Sequence, residues 1–147
     1  MAGLDPAIQL SLTPRMPVLF AYATLRDDEV RTRLFGEPIS AEPATLEGWQ
    51  VVETADAYFN IVPEPGAITA GVLLHLSPEQ WRLTDAFEEV PLYQRHPVMV
   101  RLASGMVQAQ LYRRNDAPGK PVRDGRLSAL PRDALLGMVD AFRRDWR

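Results

Sequence analysis

Pro17-Val18-Leu19-Phe20-Ala21-Tyr22-Ala23-Thr24-Leu25 is the stretch on which the fold turns. Val18 to Tyr22 is a short apolar run entered from a proline, the pattern of a strand buried on both faces, so it predicts a central strand. Within a few residues the chain switches to helix. Asp27 is placed to cap it, Asp28 and Glu29 sit near its positive end, Val30, Leu34 and Phe35 share its inner face, and Gly36 supplies the stop. A strand followed at once by a helix start points backbone N–H groups out of the turn at residues 22 to 25, where they can hold a carboxylate or a developing oxyanion. Connecting turns of this shape are common, and the spacing alone favours a plain turn.

Working outward, residues 37–43 read as a loop bounded by prolines, and Ala44 to Val52 and Ala57 to Val62 as strands rich in aromatic and β-branched residues. Pro63-Glu64-Pro65-Gly66 reads as a turn and Ala67 to Leu76 as a further strand, together an antiparallel meander. Ser77-Pro78-Glu79-Gln80 carries a capping box with proline at the first helical position. The helix it opens runs to about Phe87, with Trp81, Thr84 and Phe87 inward, ends beside Glu88 and Glu89, and is stopped by Pro91. Val98 to Leu102 and Met106 to Tyr112 flank a Ser104-Gly105 turn as a hairpin. Asn115 to Arg126 is polar and reads as a loop. Pro131 opens a last helix with Ala134, Leu135, Met138, Val139 and Phe142 on one face.

A chain of 147 residues, 46% hydrophobic and 24% charged, has the size and composition of one globular domain. The expected layout is an N-terminal extension over residues 1–16 and a single domain over 17–147. A net charge of -3 offers no basic footprint for nucleic acid. Cysteine is absent and histidine occurs twice, which removes thiolate chemistry and His-based metal sites and suits a reducing compartment. Asp5 and Pro6 interrupt any secretory hydrophobic run, and no stretch has the ~20 apolar residues needed to span a bilayer, so a cytoplasmic protein is expected. Oligomeric state is not encoded in any of these features.

The second place for chemistry is Asp85-Ala86-Phe87-Glu88-Glu89. Helical geometry puts Glu88 next to the inward stripe of Thr84 and Phe87, whereas Glu89 is turned a further ~100° around the axis. A carboxyl group drawn beneath Phe87 and Trp81 would lose hydration, and its pKa would rise toward the range of a general base. Neighbouring carboxylates at a helix end are also commonly just solvated charge, and both readings fit.

Taken together, these segments resemble the γ-glutamyl cyclotransferase superfamily, especially its small γ-glutamylamine cyclotransferase-like branch. That family opens with an apolar strand running into Tyr-Gly-Ser/Thr-Leu, here Leu19 to Leu25. It continues with Leu-Asp-x-Tyr/Phe-Glu and then Tyr-x-Arg, here Thr84-Asp85-Ala86-Phe87-Glu88 and Tyr93-Gln94-Arg95. Leu46-Glu47-Gly48-Trp49, Pro63 to Gly71 and Ala109-Gln110-Leu111-Tyr112 extend the likeness over about residues 17 to 113. Each motif is short. Their order and separation make the set specific.

The resemblance implies an α+β fold: a small mixed, mostly antiparallel sheet curled toward a barrel, with short helices. It implies a pocket between the first turn and the carboxylate, and cyclisation of a γ-glutamyl amine or amide to 5-oxoproline without metal or organic cofactor. Glu88 would be the acid/base, and Tyr22, Ala23, Thr24 and Leu25 would meet the substrate. Tyr112 would either line the pocket or simply end a strand; Tyr93 and Arg95 would tie the post-helix turn to the sheet. Ala23 stands where the family has glycine. A position needing positive φ would reject its methyl group, and one with ordinary φ would accept it. The competing expectation is an inactive family member that binds an amino-acid-like ligand or a protein partner through the same pocket.

Overall fold

The opening apolar run is β1, Val18–Ala21, in the computed structural model, which describes residues 17–115 and 117–146. The extension expected over residues 1–16 lies outside the described residues. β1 pairs antiparallel with β3 (Phe59–His75), Phe20 opposite Leu73, and parallel with β5 (Gly105–Arg113), Leu19 opposite Gln110. β5 forms the expected hairpin with β4 (Gln94–Leu102), β4 meets β2 (Ala41–Thr54) at Arg101 opposite Thr45, and β2 runs antiparallel along β3. The ring β3-β1-β5-β4-β2-β3 is therefore closed, and only one of its pairings is parallel. Closure gives each of these five strands a neighbour on both sides, with the far end of β2 left open for a further strand.

Strand periodicity divides the core in two. Leu19 and Ala21 face the helices, while Phe20 and Tyr22 face the barrel interior with Leu46, Ile61, Leu73, Val100 and Leu111. Each fully buried side chain of this kind contributes roughly 1.5–3 kcal/mol of transfer free energy. Gly71 on β3 lets Phe20 in: a Cβ there would meet the Phe20 ring at 2.6 Å and the Ala21 carbonyl oxygen at 2.5 Å.

Three α-helices cover the outer face of β1 and its neighbours. After a 3-10 turn at Thr24–Arg26, α1 (Asp28–Phe35) starts from Asp27, whose carboxylate accepts from the N–H groups of Glu29 and Val30, and stops at Gly36 with φ 78°. α2 (Pro78–Phe87) has both halves of its capping box. α3 (Arg132–Asp145) packs on α1, and Arg132 reaches Asp27 and Glu29 while Arg33 reaches Asp140 at 2.8 Å. Among the described residues no helix is long and apolar enough to cross a membrane.

The sequence misled in several places. Pro63 to Gly66 is not a turn between strands but a wide irregularity within β3, because the register jumps from Trp49 opposite Pro63 to Glu47 opposite Ile68. The prolines sit where the ladder is interrupted and the chain is exposed, so their missing N–H costs nothing. β2 starts at Ala41, inside the expected loop, and the strand expected from Ala57 begins at Phe59, since Ala57 turns the chain with φ 64°. The 115–126 loop contains β6 (Gly119–Pro121), which pairs with the far end of β2. On α3 it is Leu136 that is buried with Leu135 and Val139, while Ala134 and Met138 are exposed.

Candidate active site

A cavity of about 630 Å³ opens where β1 ends, between the turn at residues 22–25 and the end of α2. Tyr22, Ala23, Thr24, Leu25, Glu88 and Tyr112, all singled out from the sequence, line it. The two stretches, far apart in the chain, are therefore brought to one place.

The turn is held from both sides. Leu25 is buried beneath it, and the Leu25 carbonyl oxygen accepts from Nη1 of the buried Arg31 at 2.9 Å. As the first residues of a helical turn, Thr24 and Leu25 have N–H groups with no partner inside the turn. Ala23, just before it, has a negative φ of −133°, but its ψ of −118° lies outside both the helical and the extended ranges. The methyl group in place of the family glycine meets no positive-φ penalty.

Glu88 is the C-cap of α2, its N–H bonded to the Thr84 carbonyl oxygen at 2.8 Å. Thr84 is fully buried, and Glu88 follows it one turn later among the residues that line the cavity. Only part of Glu88 is accessible, and that part faces the cavity. Burial, and then the charge of Glu89, push its pKa up to about 7. The negative end of the α2 dipole acts in the same direction. Glu89 itself leaves the helix in the left-handed region, φ 60°, and is exposed.

Three tyrosines complete the polar end. Tyr22 donates its hydroxyl to the Tyr112 carbonyl oxygen at 2.5 Å, Tyr112 to Asp85 Oδ1 at 2.5 Å, and Tyr93 to the Phe59 carbonyl oxygen at 2.7 Å. Burial pushes all three pKa values well above the usual tyrosine range, and the Glu88 charge adds to each. They remain neutral phenols whose protons are committed; Arg114 and Arg95 also approach the hydroxyl oxygens of Tyr93 and Tyr112.

The charged residues among the described lining are Asp56, Glu88 and Glu89; none is basic. Asp56 is held below the usual carboxylate range by the Thr54 hydroxyl and by Arg114, which it meets at 2.9 Å. No three described His, Asp or Glu side chains converge as metal ligands.

Sequence reasoning placed Tyr93 as a structural tie and missed that it lines the cavity, as it missed the walls built from Tyr58 and from Leu130, Met138 and Phe142. Tyr93 precedes Arg95 in a matched motif, which was the available signal. The others lie in a turn and on the flank of α3, where nothing in the local pattern points to a ligand. Arg95 lies outside the lining: it forks onto Asp85 at 2.9 and 2.7 Å and stacks over Trp81 at 4.2 Å.

Fold and site define a small closed α+β barrel with a ligand cavity at the end of its first strand. The model of one family, Gamma-glutamyl cyclotransferase, AIG2-like, matches residues 19–130, and the chain belongs to that family. Its fold is similar to that of a solved structure described as a gamma-glutamyl cyclotransferase (15% identity, 88% of this chain and 80% of that one, TM-score 0.60). It is similar also to an AIG2-like protein from Mus musculus (19%, 76% and 90%, 0.59) and to an uncharacterised Homo sapiens protein (17%, 69% and 68%, 0.61). At these identities the likeness is one of fold. No curated protein matches the chain in sequence.

Proposed function

We propose that this protein cyclises a γ-glutamyl amine or amide to 5-oxoproline and releases the amine, with Glu88 as general acid/base. The observation that carries this reading is the meeting of Glu88 with the 22–25 turn in one cavity. A carboxyl group poised near pH 7 can take a proton from the substrate α-ammonium. The freed amine attacks its own γ-carbonyl carbon, closing a five-membered ring. N–H groups of the turn meet the oxyanion as charge develops there. Glu88 then returns its proton to the departing nitrogen, the C–N bond breaks, the ring nitrogen gives up its second proton to the departing amine, and 5-oxoproline and the amine, as its ammonium ion, leave; no water, metal or redox partner enters the balance. Because attack is intramolecular, folding the substrate and placing one base accounts for most of what is required. The Tyr22 hydroxyl oxygen, which lines the same cavity, suits the α-ammonium as an acceptor.

The test is 5-oxoproline release from a panel of γ-glutamyl amides, compared between wild type and Glu88→Gln. Loss of roughly 10²- to 10⁴-fold with an unchanged circular dichroism spectrum supports the mechanism. Full turnover by the variant removes it.

A second reading, an inactive relative that binds an amino-acid-like ligand or a protein partner, draws on Ala23, whose methyl group lines the cavity. The negative φ at that position removes the positive-φ objection, while ψ −118° leaves Ala23 outside the regular backbone regions. Ligands that raise the melting temperature and are recovered unchanged would favour it.

A further inference from the structure

The cavity is polarised. Glu88, the tyrosine oxygens and the 22–25 turn occupy one part of it, whereas Phe87, Leu130, Leu135, Met138 and Phe142 supply an apolar wall. Phe87 and Phe142 pack edge to face at 5.4 Å, which fixes that wall across α2 and α3. Leu130 and Met138 are 42% and 44% exposed. Large apolar side chains left open inside a concave site gain when a ligand covers them.

The charges point the same way. All charged residues of the described lining are acidic. Arg114 is held by Asp56 and Arg132 by Asp27 and Glu29, and neither of them nor Arg26 is among the residues that line the cavity. A carboxylate on the departing amine would be desolvated here without a counter-charge and next to like charges.

Resting on the cyclotransferase reading, we infer that the departing amine of the substrate carries an uncharged apolar group, an alkyl or arylalkyl chain, and not an amino acid with a free carboxylate. The γ-glutamyl head then sits at Glu88 and the tail lies along α3.

Three substrates test this: γ-glutamyl-phenethylamide, γ-glutamyl-glycine and a γ-glutamyl conjugate of a diamine, with apolar, anionic and cationic tails. Wild-type protein is compared by kcat/KM for 5-oxoproline release and, where there is no turnover, by Kd from calorimetry. A preference of about tenfold or more for the apolar conjugate is expected, the scale of discrimination that an apolar pocket provides. Met138→Lys, a change at an exposed position, should narrow the gap to the glycine conjugate. Turnover or binding of the glycine or diamine conjugate as good as that of the phenethylamide overturns the inference and leaves the cyclotransferase reading standing. Apolar-selective binding without 5-oxoproline from any of the three removes the reading and, with it, the departing amine that the inference describes. If none binds, both fall.

Discussion

Two carboxylates one helical turn apart, Asp85 and Glu88, live in opposite surroundings at the end of α2. Asp85 faces the sheet, where Arg95 takes it in a fork and the Tyr112 hydroxyl adds a third bond, so its charge is fully matched. Glu88 faces the cavity with Glu89 beside it and no basic side chain in the described lining. A carboxylate is thus paired and hydrogen-bonded in one place and, in the other, buried and pushed toward the neutral acid. The difference separates a group that holds the wall of a site from one able to exchange a proton within it.

The strongest way to break that comparison is to neutralise each member in turn. Glu88→Gln is expected to abolish turnover while making the protein more stable at high pH. Below the unfolded-state value near 4.5 both states hold the proton and the substitution changes little. Between that pH and about 7 the unfolded chain releases a proton the folded one retains, so native stability falls as pH rises. Above about 7 the buried charge costs its full amount, and the glutamine variant should gain on the order of 1–3 kcal/mol in urea unfolding. A variant less stable than wild type at pH 8 would mean that Glu88 is a matched anion after all.

Asp85→Ala should do the reverse. It removes the fork to Arg95 and the acceptor of Tyr112, at a cost of roughly 1–2 kcal/mol after allowing for partial exposure of the pair. Turnover should fall by less than about tenfold, through displaced Tyr112 rather than lost proton transfer. A loss of activity as large as that of Glu88→Gln, with stability intact, would erase the distinction between them.

This pairing also shows what was legible beforehand. The capping box fixed the start of α2, helical spacing put Glu88 rather than Glu89 beside the core, and the apolar run of β1 located the opposing turn. All are local patterns, and the structure places these residues in one cavity. What the local pattern could not carry was tertiary. Pro63 to Gly66 has turn chemistry, yet the β2–β3 ladder absorbs it as an irregularity. β6 is three residues with no strand signal and exists because β2 offers it an edge. The role of Asp85 depends on Arg95 and Tyr112, ten and 27 positions away, and no periodicity reports such a partner.

A finer prediction concerns the working pH. If Glu88 is the base, kcat/KM for the free enzyme should rise with pH through about 7, because only the ionised carboxylate can accept the substrate proton. A profile flat between pH 5.5 and 8.5, a range of about 3 units centred on that value, would remove Glu88 from the rate equation.

The smallest expected effect falls on Glu89, the neighbouring charge that raises Glu88. Glu89→Gln keeps the side-chain size and the capacity for its left-handed backbone while removing that repulsion. Exposed charge pairs interact by roughly 0.2–1 kcal/mol, and 1.36 kcal/mol corresponds to one pKa unit. The midpoint of the pH–rate profile should therefore move down by roughly half a unit or less, with kcat at the plateau unchanged. Burial is the larger cause and survives the substitution, so the midpoint should remain well above the ordinary glutamate range. A midpoint that dropped to that range would show that charge repulsion, and not the cavity, poises Glu88, and the contrast with Asp85 would then rest on one exposed neighbour instead of on the fold.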